Sequence, residues 1–157
     1  MRQVLSVKVE DRPGVLARIA GLFHRRGFNI ESLTVGQSEQ SGVSRMTIVV
    51  NEDEHVMEQI VKQLYKLVDV SKVMDLTSQP HVKRELVLVK VSINSKTRSE
   101  VLEIVDIFRG KIIDVSEKSL VVEMIGATDK IEGLINLLKN FGIIELKRTG
   151  AVSMLRG

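Results

Sequence analysis

Residues 3–16 read Gln-Val-Leu-Ser-Val-Lys-Val-Glu-Asp-Arg-Pro-Gly-Val-Leu, and the spacing of the apolar side chains changes within this stretch. In the first eight residues apolar and polar side chains alternate, which places Leu5, Val7 and Val9 on one face of a β-strand. From the proline onward the apolar residues have helical spacing, and proline itself suits the first turn of a helix. The apolar residues of this helix are Leu16, Ile19, Ala20 and Phe23, with Gly27 just past its end.

The strand and helix patterns then continue in a fixed order. Residues 28–38 and 43–51 predict two strands around a turn at 39–42, and residues 69–77 predict a fourth strand. The helix between them carries the apolar stripe Met57, Ile60, Val61 and Leu64. The order βαββαβ predicts a ferredoxin-like unit of the α+β class, a four-stranded antiparallel sheet with two helices on one face.

The same order repeats in the second half of the chain. Residues 84–93, 111–117, 119–126 and 142–148 predict strands, and two helices carry the stripes Val101-Ile104-Val105-Phe108 and Ile131-Leu134-Ile135-Leu138. We therefore predict two tandem ferredoxin-like βαββαβ domains, at residues 1–77 and 84–157, joined by a linker at 78–83. Because this fold serves many unrelated functions, the architecture alone predicts no activity.

The composition limits the classes of protein to consider. The chain has 157 residues, 43% of them hydrophobic, and no cysteine, which excludes disulfides and thiolate metal sites. No apolar run reaches the ~18 residues of a membrane helix, and the start of the chain has no signal-peptide pattern, so we expect a cytoplasmic protein that does not associate with membranes. The net charge of +3 is scattered and aromatic residues make up 3%, which argues against nucleic-acid binding.

No pattern in the chain is typical of an enzyme. The histidines His24, His55 and His81 each lack a second ligand at metal-binding spacing. The chain also lacks a phosphate-binding glycine loop, a dinucleotide fingerprint and a nucleophile elbow. We expect no catalytic residue, no metal site and no cofactor in this chain.

The turn before the first helix has the features of an anion site. The N–H groups of Gly14, Val15 and Leu16 point out of the positive helix end, where a carboxylate binds well. Asn29 begins the next strand, and it can approach this helix end only from a neighbouring chain or over a long reach; its amide suits both an ammonium and a carboxylate. The alternative is a plain tight turn that Asp11 caps, with Asn29 in solvent.

Two further features favour a ligand site in the first half. In the equivalent turn of the second half, Thr97 and Glu100 have the spacing of a capping box, which satisfies the N–H groups of its own helix. The strand at 28–38 is expected at a sheet edge and carries only one charge, Glu31, so it lacks protection against strand addition. Pairing with the same strand of a second chain predicts a homodimer; twist, or coverage by the second domain, is the alternative.

These residues carry a family resemblance. Asp11-Arg12-Pro13-Gly14-Val15-Leu16 is similar to the D-x-P-G-x-L turn of ACT domains, small modules that bind amino acids and regulate metabolic enzymes. The run at 18–35, Arg-Ile-Ala-Gly-Leu-Phe-His-Arg-Arg-Gly-Phe-Asn-Ile-Glu-Ser-Leu-Thr-Val, resembles the small regulatory subunits of acetolactate synthase, also called acetohydroxyacid synthase. The chain length, the second half and Arg148-Thr149-Gly150 fit the same family, so the likeness covers essentially the whole chain.

The resemblance implies a non-catalytic regulatory subunit. Its partner would be a catalytic large subunit that uses thiamine diphosphate, Mg and FAD to make acetolactate from pyruvate, in branched-chain amino acid biosynthesis. The small subunit would activate this partner and impose feedback inhibition by valine, bound between two N-terminal ACT domains of a homodimer. The effector-binding positions would be Asp11, Gly14, Val15, Leu16, Asn29, Ile30 and Gly36. Many relatives carry Asn at the first of these positions and a small residue such as Ala at the last.

Two other interpretations stay open. The chain could be a free-standing amino-acid sensor or a transcription regulator built on the same module, although no helix-turn-helix pattern is left to hold DNA. It could also be an enzyme in its own right, against which the missing catalytic motifs argue. Co-purification with a catalytic subunit separates the first from a regulatory subunit, and turnover of pyruvate by the isolated chain would support the second.

Overall fold

The predicted strands and helices are present in the predicted order in both halves of the chain. The computed structural model describes residues 1–157. The first series is β1 Arg2–Glu10, α1 Val15–Arg26, β2 Ile30–Gln37, β3 Val43–Asn51, α2 Glu54–Tyr65 and β4 Val70–Asp75. The second is β5 His81–Ser92, α3 Arg98–Ile107, β6 Lys111–Val115, β7 Ser119–Gly126, α4 Thr128–Leu138, a 3₁₀ turn at Lys139–Phe141, β8 Ile143–Arg148 and an additional strand, β9 Val152–Leu155. The predicted α+β class and the two ferredoxin-like series are confirmed.

The first sheet is antiparallel with the order β2-β3-β1-β4, so β2 lies at its edge as predicted. β1 and β3 pair along their whole length, with Leu5 opposite Ile48 and Val7 opposite Met46. These alternate side chains face α1 and α2 and are fully buried with them in one core. Burial of each such side chain contributes roughly 1.5–3 kcal/mol, which holds both helices on this face.

The stripe by which α1 contacts the sheet differs from the predicted one. Its buried residues are Val15, Ile19, Leu22 and Phe23. Leu16 and Ala20, which share the predicted apolar stripe with Ile19 and Phe23, are exposed. Two neighbouring apolar stripes exist on this helix, and the sheet packs against the one with the larger side chains. Leu16 is left accessible on the first helical turn.

The second sheet has the order β6-β7-β5-β8, and α3 and α4 share one core with it. The predicted stripe of α4 is buried throughout. The end of β8 is held by polar contacts: Arg148 Nε donates to the buried carboxylate of Glu85 at 2.5 Å, and the Leu86 N–H donates to Thr149 Oγ1 at 3.1 Å. The Arg-Thr pair that the sequence singled out therefore anchors a strand.

Residues 151–157 belong to the first unit and not to the second, to which the sequence assigned them. Contacts divide the chain into one unit of residues 1–82 with 151–157 and a second unit of residues 83–150. The sequence had assigned all of 84–157 to the second domain. A strand as short as β9 shows too little alternation to be recognised from sequence, and its partners lie far away in the chain.

β9 is fixed to the first unit by hydrogen bonds at the start of β5. Ser153 Oγ donates to the carbonyl of Val82 at 2.9 Å, and the Arg156 N–H donates to the carbonyl of Pro80 at 3.0 Å. The predicted linker at 78–83 is accordingly irregular only as far as Pro80, because β5 begins at the next residue.

The C-terminal segment covers the face of the first sheet opposite the helices. Ala151 is buried there with Val4, Val49 and Leu76, and Met74 and Leu155 pack at the margin. The Ala151 N–H donates to Ser32 Oγ on β2 at 3.0 Å. The first unit thus has a second, smaller apolar cluster that depends on residues at the far end of the chain.

We expect Ala151→Asp to destabilise the first unit by more than about 2 kcal/mol, because it buries an unpaired charge in this cluster. Val152→Asp is the matched control: Val152 is 55% exposed, against 2% for Ala151, and its replacement should change stability by about 0.5 kcal/mol or less. Chemical unfolding followed by circular dichroism measures both. Equal stability of the two variants would contradict a structural role for the C-terminal segment.

Candidate functional site

The β1–α1 turn, residues 11–14, presents an uncapped helix end. Gly14 occupies the N-cap position, and no side chain caps the first helical N–H groups. The Val15 N–H reaches the carbonyl of Arg12 at 3.4 Å, whereas the N–H groups of Gly14 and Leu16 have no acceptor in the chain. These groups carry the positive end of the helix dipole, so the turn suits an anion.

The Asp11 side chain does not cap this helix, so that part of the alternative interpretation is wrong. Its Oδ2 atom instead accepts a long hydrogen bond of 3.4 Å from Gln37 Nε2, at the end of β2. Asp11 is exposed. Asp11 thus belongs to the turn before the open helix end, and its carboxylate is accessible to accept hydrogen bonds from an ammonium group.

Two features favour glycine at position 14. Its φ of 87° lies in the left-handed region, which side chains other than glycine adopt at a cost. In addition, a Cβ at this position would lie 3.0 Å from Arg18 Nη1. Long helical side chains lean towards the residue four positions earlier, and Arg18 lies over Gly14 in this way.

A cluster of ion pairs that the sequence analysis missed supports the turn. We call it the Asp69 cluster; it comprises Glu10, Arg12, Arg18 and Asp69. The Asp69 carboxylate is 2% exposed and accepts hydrogen bonds from Arg12 Nη2 and, at 2.7 Å, from Arg18 Nε. Arg12 Nε also lies 2.8 Å from Glu10 Oε2. The two arginines thus connect the start of α1 to the residue before β4.

The Asp69 cluster changes the pKa of its central carboxyl. Burial raises the pKa of Asp69, but the hydrogen bonds from Arg12 and Arg18 lower it by a larger amount. The pKa of Asp69 is therefore below its ordinary value. The Arg12 pKa is raised, chiefly by its hydrogen bond to Asp69. Asp69 is therefore ionised at neutral pH, and its ion pairs hold the turn in place.

A weak sequence signal for this cluster existed. Asp69 interrupts the apolar run Leu67-Val68-Asp69-Val70, and an acidic residue at a strand start within such a run is either exposed or paired. Its partners lie 51 and 57 positions away. Such a separation leaves no periodic pattern, so pairing could not be predicted.

One predicted site residue outside the turn, Gly36, lies at the same end of the sheet as the turn. Gly36 pairs with Arg45 on β3, and Arg45 pairs with Lys8 near the end of β1. The adjacent Gln37 contacts Asp11 as described. A Cβ at Gly36 would meet nothing within 4 Å, so the single chain leaves open space beside this residue.

The other two predicted residues, Asn29 and Ile30, lie at the opposite end of the sheet. Ile30 pairs with Val50, which pairs with Gln3 at the start of β1. Because β2 spans the sheet from that end to the turn, one chain cannot bring Asn29 to the helix end. The structure therefore unites Asp11, Gly14, Val15, Leu16 and Gly36 but not Asn29 and Ile30.

The first unit has two cavities that differ in size and in the residues that line them. A cavity of about 100 Å³ lies at the turn, lined by Asp11, Gln37 and the β2–β3 loop at 38–43, which is far below the roughly 300–1,000 Å³ of typical ligand sites. A larger cavity of about 550 Å³ lies near Met1 and Gln3 and contains none of the predicted site residues. One chain alone does not enclose a ligand at the turn.

The equivalent turn of the second unit has hydrogen bonds of its own before the helix, from other residues than predicted, and α3 too has no side-chain cap. Asn94 Oδ1 accepts from the N–H groups of Lys96 and Thr97 at 2.8 and 2.9 Å. Thr97 Oγ1 accepts from the Asn94 N–H at 3.0 Å and makes no cap to α3, so the capping box between Thr97 and Glu100 is wrong. A side chain that accepts N–H groups is present in this turn and absent from the β1–α1 turn.

No three side chains among the histidines and carboxylates come together where they could hold a metal ion. His24 and His55 are exposed, and His81 Nδ1 lies 2.7 Å from the carbonyl of Gln79. None of the helices has the length and the apolar character to cross a membrane.

Family models match both halves of the chain. A model described as an acetohydroxyacid synthase small subunit-like ACT domain matches residues 5–72. A model described as the small subunit of acetolactate synthase matches residues 84–157.

Individual relatives extend over almost the whole chain. The probable acetolactate synthase small subunit of Methanothermobacter thermautotrophicus is 55% identical over 98% of this chain and 92% of its own length. The acetolactate synthase small subunit of Aquifex aeolicus is 53% identical over 99% of this chain and 81% of its own. The crystal structure of the small subunit from Thermotoga maritima has a TM-score of 0.91 at 45% identity, covering 100% of this chain and 98% of that one. Fold, family models and relatives agree that this chain belongs to the acetolactate synthase small-subunit family, with an N-terminal ACT domain.

Proposed function

We propose that this chain binds the catalytic large subunit of acetolactate synthase, raises its activity and makes it subject to feedback inhibition by valine. The chain itself is non-catalytic, and thiamine diphosphate, Mg and FAD belong to the large subunit. The observation that carries the effector part is the uncapped end of α1 beside the edge strand β2. Family membership supports the partner.

The effector site forms between two copies of this chain. Pairing of β2 with its own copy about a two-fold axis is antiparallel, so the start of one strand lies beside the end of the other. Asn29 and Ile30 of the second copy then reach Gly36 and the β1–α1 turn of the first. The effector-binding residues separated within one chain are united in this way, and the first unit carries both dimerisation and effector binding.

The turn offers the groups that an α-amino acid requires. The free N–H groups of Gly14 and Leu16 bind the carboxylate, which contributes about 0.3–1 kcal/mol, up to ~2 when partly buried. Asp11 and Asn29 of the second copy bind the ammonium. Leu16 presents apolar surface to an aliphatic side chain, whose burial adds roughly 1.5–3 kcal/mol. Together with the hydrogen bonds to the ammonium group, these contributions bring a dissociation constant between about 1 mM and 1 μM within reach, which corresponds to ~4–8 kcal/mol.

The partner interaction is tested by reconstitution. Mixed with the catalytic large subunit of its own pathway, the chain should raise the rate of acetolactate formation, and valine should suppress that rise by roughly five- to 150-fold. The chain alone should consume no pyruvate. Turnover by the isolated chain would support an enzyme instead, and lack of binding to the large subunit would support a free-standing sensor.

The dimer contact is tested by adding a charge to the edge strand. Val35→Lys on β2 should raise the dimer dissociation constant at least about tenfold, because a lysine on an exposed edge strand discourages pairing with a second strand. Val115→Lys is the matched control on β6, the equivalent edge strand of the second unit; the two valines are 43% and 61% exposed. Sedimentation equilibrium measures both, and dissociation caused only by Val115→Lys would place the contact on β6.

Mixed dimers test whether the site spans two chains. Homodimers of Gly14→Ala or of Asn29→Ala carry one defect in every site and should bind valine poorly. A heterodimer of the two variants has one doubly defective site and one intact site, so calorimetric titration should recover half of the valine sites. No recovery would contradict a site shared between chains.

The control for backbone strain is Gly27→Ala. Gly27 ends the same helix with a φ of 70°, close to the 87° of Gly14, and a Cβ there meets nothing within 4 Å. Alanine in this region costs roughly 1–2 kcal/mol at either position. Gly27→Ala should therefore lower stability yet keep full valine binding, which separates loss of the site from strain in the helix.

A further inference from the structure

Arg18 has a hydrogen-bond donor directed at the β1–α1 turn. Its Nη1 atom lies 3.0 Å from the position that a Cβ on Gly14 would occupy. No acceptor in the chain is bonded to this atom, and the side chain is half-exposed. A guanidinium corner with free N–H groups therefore stands beside the free backbone N–H groups of the helix end.

The Asp69 cluster fixes Arg18 in this orientation. Asp69 Oδ2 lies 2.7 Å from Arg18 Nε and 2.6 Å from Arg18 Nη2, so one carboxylate oxygen holds one edge of the guanidinium. The opposite corner, Nη1, is left to the turn. Arg12 differs, because it bonds two carboxylates, those of Glu10 and Asp69. Arg18 is therefore the arginine of the cluster whose remaining donor, Nη1, lies at Gly14.

We propose that Arg18 determines the specificity of the effector site for a free carboxylate: its Nη1 donates to the carboxylate of the bound amino acid, and Asp69 is the positioning residue that holds it there. This inference rests on the proposed effector site at the β1–α1 turn. Hydrogen bonds between two charged groups are stronger than neutral ones. The site then selects amino acids over neutral derivatives with the same side chain.

The test compares L-valine with L-valinamide, in which a neutral amide replaces the carboxylate while the side chain and the amino group stay the same. Titration calorimetry of the full chain at neutral pH gives the affinity for each. Arg18→Gln should weaken valine binding about tenfold and valinamide binding less than about twofold, so the preference for valine falls. Arg18→Lys keeps the charge without the fork and should restore part of the preference.

Arg25→Gln is the matched control. Arg25 lies on the same helix, and its Nη1 is 3.2 Å from the position of a Cβ on Gly21, four residues earlier. The geometry of the pair repeats that of Gly14 and Arg18, but away from the turn. This variant should bind both ligands as the unaltered chain does.

The outcomes distinguish the inference from the proposed function. Equal weakening of both ligands by Arg18→Gln would make the role of Arg18 purely structural and overturn the inference, as would unchanged valine binding. If the unaltered chain binds neither ligand, the proposed effector site fails, and the inference fails with it.

Discussion

The first unit is organised around one carboxylate that is almost completely removed from water. A buried charge is tolerated only with close partners of opposite charge, and Asp69 finds them in Arg12 and Arg18. The Glu10 N–H donates to the Asp69 carbonyl at 2.9 Å at the same place. The end of β1, the start of α1 and the start of β4 therefore have to meet, and this junction positions the open helix end.

Much of the fold could be predicted from the sequence because it depends on local periodicity. The order of elements, the stripe Met57-Ile60-Leu64 of α2 and the full stripe of α4 are confirmed, because each depends on residues three or four positions apart. The edge position of β2 followed from the same order. The choice between two adjacent stripes on α1 did not, because it depends on how the side chains fit the sheet.

Features that depend on partners distant in the chain could not be predicted from the sequence. The Asp69 cluster joins residues more than fifty positions apart, and β9 returns to elements at the start of the chain. The predicted cap of α3 failed for a different reason: Thr97 and Glu100 have suitable spacing, but Thr97 Oγ1 bonds the Asn94 N–H instead of the helix, and α3 has no side-chain cap. Five of the seven predicted site residues lie at the end of the sheet that carries the turn, and strand direction separates Asn29 and Ile30 from them.

The position of β9 also affects the order in which the chain can fold during synthesis. Residues 83–150 are, in topological terms, an insertion into the first unit, whose outer apolar cluster needs Ala151. Domains generally fold as they emerge from the ribosome, N-terminal parts first. Here the N-terminal sheet keeps one apolar face uncovered until residues 151–157 have been translated, so its completion waits for the whole inserted unit. A fragment ending at residue 82 lacks that cover.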